Sequence, residues 1–327
     1  MKKKIFITGG AGYVGSALVP ELIKNNFEVT VFDLMIYGED VIERNKNIKM
    51  IKGDIRDIAL LKKVLPGHDI VIHLACISND PSFELNPALG KSINLDSFEP
   101  LVKTSKLNNI KRFIYASSSS VYGIKTEKNV HENMSLKPLT DYSKYKADCE
   151  KILNQYGDDS FVVTTIRPAT VCGYAKRQRL DVIVNILSNF AFYKRQIQIF
   201  GGSQLRPNIH IKDMVRTYLT IIDADKFKIN KEVFNVGSTN HSVNEIADMV
   251  KKNMGEDIEL KRIDTNDPRS YHVSSKKIKD ILNFETIFTV EDAVLDLKQA
   301  FEKKLLTNTF DNNNYFNIKK MQSINLK

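Results

Sequence analysis

The sequence has few cysteines and no long apolar run. Its 327 residues include only Cys76, Cys149 and Cys172, which lie far apart. An odd and scattered set excludes a disulfide framework and a cysteine metal cluster, and we expect no metal site. No stretch approaches the roughly 18 consecutive apolar residues of a membrane-spanning helix. Met1 and three lysines lead directly into an apolar strand pattern, without the apolar segment of a signal peptide. We therefore expect a soluble, cytoplasmic protein without a membrane partner.

Acidic residues are outnumbered by basic ones. The chain has 48 Lys and Arg against 39 Asp and Glu, a formal net charge of +9. A basic balance invites a nucleic-acid interpretation, which predicts lysines concentrated on one element with aromatic residues between them. Here the lysines are spread over many predicted helix faces among Asn, Asp and Glu. The charge therefore indicates a solvated surface, and we expect no nucleic-acid partner.

Strand and helix patterns alternate through the first half of the chain, in which no internal repeat is evident. Strands are predicted at 4–8, 27–32, 48–52, 70–74, 112–116 and 161–166, and helices at 16–25, 58–65, 93–107 and 141–155. Such alternation indicates βαβ units with a parallel sheet covered on both faces. The predicted fold class is α/β, a Rossmann-type doubly wound parallel sheet with a smaller C-terminal α/β substrate-binding lobe.

The alternation loosens after residue 167. Helices at 182–192, 243–252 and 290–304, with short strands at 197–200 and 232–235, fit a smaller α/β lobe. We predict a Rossmann-type domain at 1–170 and a smaller substrate lobe at 171–306, with the possibility that the chain crosses back between them. Residues 307–327 are polar and unpatterned, and we expect a mobile tail or an arm that contacts a partner.

A glycine-rich turn follows the first predicted strand. Gly9, Gly12 and Gly15 are spaced three apart at the start of the first helix, G-x-x-G-x-x-G rather than the standard G-x-G-x-x-G. Glycine lets the backbone approach a ligand, and the free N–H groups of the helix receive a pyrophosphate. Asp33 ends the second strand, where a carboxylate accepts both ribose hydroxyls of an adenosine and repels a 2′-phosphate. The pattern predicts NAD in preference to NADP.

Two further strand ends fit the same cofactor. Asp54 and Ile55 follow the third strand, where a side chain can reach the adenine amine. The stretch His73-Leu-Ala-Cys-Ile77 ends the fourth strand, where its small residues leave room for the nicotinamide half. His73 is interpreted as a packed or hydrogen-bonded histidine rather than an acid or base.

A Tyr-x-x-x-Lys pair begins the helix predicted at 141–155. Tyr142 and Lys146 are four residues apart, so both side chains project from one helix face. A nearby ammonium stabilises the phenolate and is expected to lower the pKa of the tyrosine, which can then take a proton from a sugar hydroxyl. The motif alone is weak, but Ala116 and a run of four serines follow the preceding strand and place hydroxyls at the same sheet edge.

These motifs together resemble the extended short-chain dehydrogenase/reductases that modify nucleotide sugars, the superfamily of UDP-galactose 4-epimerase. The resemblance spans residues 8–213 and ends in Arg206-Pro-Asn-Ile-His-Ile-Lys-Asp213. It implies Ser118 as the catalytic hydroxyl residue, Tyr142 as the base and Lys146 as the clamp on the nicotinamide ribose. The implied cofactor-binding residues are Gly9, Gly12, Tyr13, Val14, Gly15, Asp33, Leu34, Asp54, Ile55, Leu74, Ala75, Cys76, Asn94, Ser117, Tyr142 and Lys146. It also implies a homodimer that pairs helices 95–107 and 145–153.

The serine loop discriminates within this family. The 4,6-dehydratases carry an Asp-Glu pair where this chain has Ser119 and Ser120, and the decarboxylases carry a Glu that is also missing. The loop is similar to that of UDP-glucuronate and related 4-epimerases. By this resemblance we expect epimerisation and not loss of water.

The substrate-binding residues implied by the resemblance are Ser118, Ser119, Thr170, Asn185, Arg206 and Arg269. Arginine suits a diphosphate because guanidinium forms forked, charge-assisted hydrogen bonds. Pro207 and the spacing of Arg269 depart from the epimerase pattern, and the stretches at 177–185 and 267–271 resemble a subgroup that acts on bacterial capsular sugars. Some members of that subgroup are C4 dehydrogenases of GDP-heptose.

Three functions follow from the sequence. The first is NAD-dependent epimerisation at C4 of a UDP-, GDP- or dTDP-linked sugar through a 4-keto intermediate, in bacterial surface-polysaccharide biosynthesis. The second is net oxidation or reduction at C4, as in a C4 dehydrogenase or 4-ketoreductase. The third is a non-catalytic NAD-sensing regulator, which predicts a broken Tyr-Lys pair, whereas both residues are present.

Overall fold

The computed structural model describes residues 2–127, 129–265, 270 and 272–327. A seven-stranded sheet dominates it, in the spatial order β10-β6-β5-β4-β1-β2-β3, and every pair of neighbours is parallel. Its strands are β1 (Lys4–Thr8), β2 (Glu28–Asp33), β3 (Ile48–Lys52), β4 (Ile70–His73), β5 (Arg112–Ala116), β6 (Val162–Pro168) and β10 (Glu232–Val236). The central strands are buried on both faces, as their nearly continuous apolar sequences predict.

Helices cover both faces of this sheet. They are α1 (Tyr13–Lys24), α2 (Ile58–Val64), α3 (Asp80–Glu84), α4 (Pro87–Lys91), α5 (Phe98–Leu107), α6 (Asp141–Tyr156), α8 (Ile211–Asp223), α9 (Lys226–Ile229) and α11 (Lys276–Leu282). One apolar core joins the sheet to α1 and α8, and a second joins the opposite face to α2, α5 and α6. The predicted fold class therefore agrees with the observed layers.

A smaller lobe has an apolar core of its own, formed mainly by three helices that bury one face each. Its elements are β7 (Thr170–Cys172), α7 (Ile183–Lys194), β8 (Gln196–Phe200), β9 (Leu205–His210), β11 (Asn240–Ser242), α10 (Val243–Met254), β12 (Glu259–Ile263) and α12 (Val290–Glu302). Strands β11, β9 and β7 form one small sheet, and β12 pairs with β8. The chain crosses back, since α8 and β10 belong to the layers of the main sheet. The domain boundary at residue 170 stays a prediction.

Several elements differ from the sequence-based expectation, and two of them bear on the layers around the main sheet. The helix predicted at 93–107 is divided into a π-helical turn (Ser92–Asp96) and α5. Helix α8 was not predicted, although Ile211, Met214, Tyr218 and Ile222 recur with helical spacing and are buried. In the described parts of the chain, no helix combines the length and apolar character needed to cross a membrane.

The last residues fold back onto the main body. A 3₁₀ turn (Asn313–Tyr315) leads into α13 (Asn317–Ser323). Asn317 and Met321 are buried, which differs from the mobile or partner-contacting tail expected from the polar composition. The polar composition did not predict this burial, because single residues of the segment contact the main body and no continuous apolar stripe does.

Candidate active site

A crevice of about 360 Å³ lies at the carboxyl end of the sheet, which is within the usual range for ligand pockets. The strand order reverses there, because β2 lies on one side of β1 and β4 on the other. Loops after β1 to β6 line the crevice, together with residues of the smaller lobe and of α13. This is the switch point at which doubly wound sheets bind their ligands.

The glycine turn brings the backbone close to neighbouring chain segments. Gly9 has φ +71°, and a Cβ atom there would lie 2.5 Å from the backbone nitrogen of Ala75. A Cβ at Gly15 would meet the backbone of Gly10. Gly9, Gly12, Tyr13, Val14 and Gly15 all line the crevice. The turn therefore presents bare backbone and the first N–H groups of α1 to a ligand.

Asp33 lies where β2 ends, opposite this turn. Its Oδ2 accepts a hydrogen bond from the Ala11 N–H (3.0 Å) and its Oδ1 accepts one from the Met35 N–H (2.8 Å). Burial raises the pKa of Asp33 above its ordinary value, while these two N–H groups and the charge of Arg177 act in the opposite direction. The carboxylate is thus fixed in orientation at the rim where an adenosine ribose is expected.

The other predicted cofactor residues divide into two groups. Leu34, Asp54, Ile55, Leu74, Ala75, Cys76 and Ser117 line the crevice. Asn94 lies behind the wall, where its side chain accepts from the Ile77 N–H (2.8 Å) and donates to the Ile77 carbonyl (2.9 Å). Asn94 therefore holds the loop after β4 in place.

His73 is buried, hydrogen-bonded to Thr8 (2.6 Å) and stacked on Tyr115, as expected of a packed histidine. Burial lowers the pKa of His73 to about 3.

Tyr142 and Lys146 project from α6 into the crevice, and Ser118 faces them. The Oγ of Ser118 lies 2.8 Å from Ser120 Oγ. Lys146 Nζ lies 5.9 Å from the Tyr142 ring centroid and donates to the Ala116 carbonyl (2.6 Å). The sequence thus predicts a group of side chains that the fold brings together.

The expected lowering of the tyrosine pKa is not found in this structure. Burial raises the pKa of Tyr142 well above its ordinary value, and Cys76 and Asp80 add to the effect. Arg179 and the Ser118 hydroxyl act against this increase of the pKa. The cost of burying a phenolate therefore exceeds the benefit of the nearby cations.

A buried ion pair supports the serine loop from below. Glu150 on α6 and Arg167 on β6 are 6% and 5% exposed, with 2.6 Å between Oε2 and Nη2. Glu150 also accepts a hydrogen bond from the Ser117 hydroxyl. Arg167 Nη1 donates to the Tyr122 hydroxyl (2.7 Å), which donates to Asn235 on β10 (2.7 Å). This network ties β6, β10 and α6 to the loop that carries Ser118.

The predicted substrate residues are only partly brought together. Ser118, Ser119 and Thr170 line the crevice. Asn185 does not: it is fully buried, accepts from the Gly173 N–H (2.9 Å) and donates to the Arg179 carbonyl (2.8 Å). Its Nδ2 also donates to the Tyr13 hydroxyl (3.1 Å). These contacts hold Asn185 behind the crevice lining, and its role as a substrate ligand stays a prediction. Arg206 is not part of the crevice lining described here, and Arg269 lies outside the described residues.

Sequence reasoning missed several contributors to the crevice, among them Arg177, Arg179, Asn317 and Met321. The Arg177 guanidinium lies 3.7 Å from the Tyr37 ring centroid, and Arg179 pairs with Asp181 (2.8 Å). Within the described residues, Arg177 Nε and Arg179 Nη2 have no hydrogen-bond partner although they are buried. The sequence signal that could have indicated the two arginines is Arg-Gln-Arg at 177–179, which lies in a segment without an apolar face of its own.

These features fit NAD. The glycine turn leaves its backbone accessible to a pyrophosphate, because no Cβ atom occupies the space beside it. Asp33 offers a carboxylate of fixed orientation. Two buried guanidinium groups with free N–H groups suit phosphate oxygens. Gly12 to Gly15 would hold the pyrophosphate, Asp33 the adenosine ribose, and Tyr142 with Lys146 the nicotinamide ribose.

Comparison with known proteins agrees with this geometry. A UDP-glucose 4-epimerase of Lactobacillus helveticus is 28% identical over 305 residues, which is 86% of this chain and 92% of that protein. The UDP-glucose 4-epimerase of Thermotoga maritima, solved with UDP-glucose, is 25% identical with a TM-score of 0.84, over 93% of this chain and 100% of that chain. The UDP-glucuronic acid 4-epimerase of Bacillus cereus, solved with UDP-glucuronic acid and NAD, is 26% identical with a TM-score of 0.81. The match covers 90% of this chain and 99% of that chain.

A family model gives the same assignment. It matches residues 5–237, which include the glycine turn, the serine loop and the Tyr-Lys pair. The predicted fold class, the resemblance to nucleotide-sugar epimerases and the cofactor, NAD, are confirmed. The chain belongs to the NAD dependent epimerase/dehydratase family.

Proposed function

We propose that the chain is an NAD-dependent epimerase that inverts C4 of a nucleotide sugar through a transient 4-keto intermediate. The observation that carries this proposal is the convergence of Ser118, Tyr142 and Lys146 on one crevice. Tyr142 and Ser118 both line this crevice, so a sugar hydroxyl bound between their hydroxyl groups would contact both.

Each of the three side chains has a role in this reaction. Tyr142 Oη takes the proton of the C4 hydroxyl and later returns it. Ser118 Oγ holds the reacting oxygen, and its contact with Ser120 fixes its orientation. Lys146 is anchored by the Ala116 carbonyl, which places its charge beside the phenol ring. When bound, NAD supplies the redox chemistry by taking a hydride from C4 of the sugar and giving it back.

The raised pKa of Tyr142 makes the surrounding cations essential to its role as a base. Arg179 already acts against the effect of burial, and Lys146 is the other cation beside the ring. A base in a buried site needs such compensation because desolvation favours the neutral phenol. The prediction is that loss of either cation shifts the activity profile to higher pH.

The serine loop supports epimerisation over dehydration. Ser119 and Ser120 follow Ser118 in a 3₁₀ turn, and neither side chain can protonate a leaving hydroxyl as a carboxyl group would. The L. helveticus, T. maritima and B. cereus proteins are all 4-epimerases by name. Their similarity supports the same reaction here.

Net oxidation or reduction at C4 is the second candidate, because its half-reaction needs the same residues. The test is to incubate the purified chain with UDP-, GDP- and dTDP-linked sugars without added NAD and to follow the sugars by NMR. An epimerase gives many turnovers of the C4 epimer. A conversion that stops at one equivalent per active site contradicts the epimerase and supports the dehydrogenase or 4-ketoreductase.

The substrate and the assembly belong to the same proposal. The nucleotide is UDP, GDP or dTDP, and UDP is favoured by the substrates of the two structural neighbours. The product would serve bacterial surface-polysaccharide biosynthesis. A homodimer would pair α5 and α6 with their copies, and light scattering of the purified chain would measure it directly.

A further inference from the structure

The segment that follows the smaller lobe forms part of the crevice wall. Asn317, Met321 and Leu326 line it together with the loops of the main sheet. The segment is attached to the rest of the protein at both ends. The Leu180 N–H donates to the Tyr315 carbonyl (2.9 Å), and Arg56 Nη2 donates to the Lys327 carbonyl (2.9 Å). Since Arg56 also pairs with Asp54 (2.6 Å), the segment ends beside the loop expected to hold adenine.

Asn317 is bonded to three separate parts of the chain, which contain Tyr37, Ser78 and the segment from Arg177 to Asp181. Its Oδ1 accepts from the Tyr37 hydroxyl (2.9 Å) and from Arg177 Nη2 (2.5 Å). Its Nδ2 donates to Ser78 Oγ (2.8 Å), and its backbone N–H donates to Asp181 Oδ2 (2.9 Å). The residue is only 5% exposed, so these bonds form away from water and their loss leaves buried groups without partners.

Through these bonds, Asn317 fixes both arginines of the crevice. It binds Arg177 directly, and it binds Asp181, the ion-pair partner of Arg179. Both guanidinium groups have a buried N–H without a partner among the described residues. Such groups are suited to the phosphate oxygens of a ligand in the crevice.

Two apolar side chains complete the wall. Met321 is 7% exposed and belongs to the buried cluster that contains Ile55, Ile77 and Ile93, and Leu326 packs against the same cluster. All five of these side chains line the crevice, and an apolar lining favours a flat, aromatic ring system such as a purine base.

We propose that the side chains of Asn317, Met321 and Leu326 form a wall of the cofactor site, which covers the adenosine half of NAD and keeps NAD bound between turnovers. Asn317 is a positioning residue, because it acts through Arg177, Asp181, Tyr37 and Ser78. The proposal rests on the family's cofactor and does not depend on which sugar the enzyme converts. It also accounts for a reaction in which one bound NAD serves every turnover.

The experiment measures how fast NAD leaves the protein. The full-length chain is loaded with fluorescent NADH and chased with excess NAD, and the decay of fluorescence gives the release rate. The variants are Asn317→Ala and a chain shortened after Phe316, and the control is Gln322→Ala, which changes an exposed residue of the same helix. We expect release about ten-fold faster or more in both variants, as loss of a hydrogen bond to a charged group predicts, and an unchanged rate in Gln322→Ala. Wild-type release rates in both variants, with wild-type circular dichroism, would overturn the proposal.

A second measurement uses the unaltered chain, so it holds even where a variant fails to fold. Hydrogen exchange is followed by mass spectrometry with and without NAD. We expect NAD to slow exchange in the peptide that covers 317–327, and equal exchange in both states would overturn the proposal. All readouts follow NAD and none follows a sugar. A chain that retains NAD but converts no nucleotide sugar therefore contradicts the proposed reaction alone.

Discussion

The replacement Glu150→Gln should destabilise the protein by about 3–5 kcal/mol, the usual cost of removing one partner of a buried ion pair. Glu150 and Arg167 are 6% and 5% exposed, so water cannot replace the lost carboxylate. Burial alone lowers the pKa of Arg167, but Glu150 and Tyr122 more than reverse this, so the guanidinium stays charged. The Ser117 hydroxyl also loses an ionised acceptor.

The assay is urea unfolding followed by circular dichroism, with the midpoint compared at constant slope. Asp148→Asn is the matched control, since it breaks the exposed Lys151–Asp148 pair on the same helix, and it should cost less than about 1 kcal/mol. The double change Glu150→Gln with Arg167→Gln should recover part of the loss, because it removes the unpaired charge. A Glu150→Gln midpoint equal to that of Asp148→Asn would refute the reasoning.

Three further replacements test the crevice. Gly9→Ala should abolish retention of NAD after gel filtration, because its Cβ would lie 2.5 Å from the Ala75 nitrogen; Gly67→Ala, also at positive φ but with open space around it, should retain NAD. Tyr142→Phe should lower turnover by about 10²–10⁴-fold while the NAD content stays the same, as loss of an acid–base group predicts. Asp33→Asn should reduce the preference for NAD over NADP about ten-fold or more, measured by titration of the cofactor-free protein, because the negative charge that repels a 2′-phosphate is removed. Retained NAD in Gly9→Ala, full turnover in Tyr142→Phe or an unchanged preference in Asp33→Asn would each contradict the corresponding role.

Local patterns predicted the main sheet well. Strands β1, β3 and β5 have the predicted bounds, because a buried parallel strand is a short apolar run with polar ends. Helix α8 was missed, since its amphipathic pattern lies beyond the region where strands and helices alternate regularly. The division at Ser92–Asp96 could not be predicted, because a π-helical turn has no pattern distinct from an α-helix.

The candidate site was predictable where its residues are close in sequence. Tyr142 and Lys146 share a helix face, and the serine loop follows a strand that ends at the same edge. Asn185 shows the limit of this reasoning, because a buried asparagine that binds backbone and one that binds a ligand look the same in sequence. Asn317 shows another limit, because its partner Tyr37 is 280 residues away in the sequence and no local sequence pattern indicates such a contact.

The most direct test of the central claim follows the hydrogen at C4 of the sugar. A nucleotide sugar carrying deuterium at C4 is incubated with the purified chain without added NAD, and both epimers are examined by NMR. The account predicts many turnovers and deuterium at C4 in both epimers, because the same hydrogen leaves and returns within one closed site. Loss of deuterium from C4, or formation of a single equivalent of oxidised sugar followed by arrest, would contradict it.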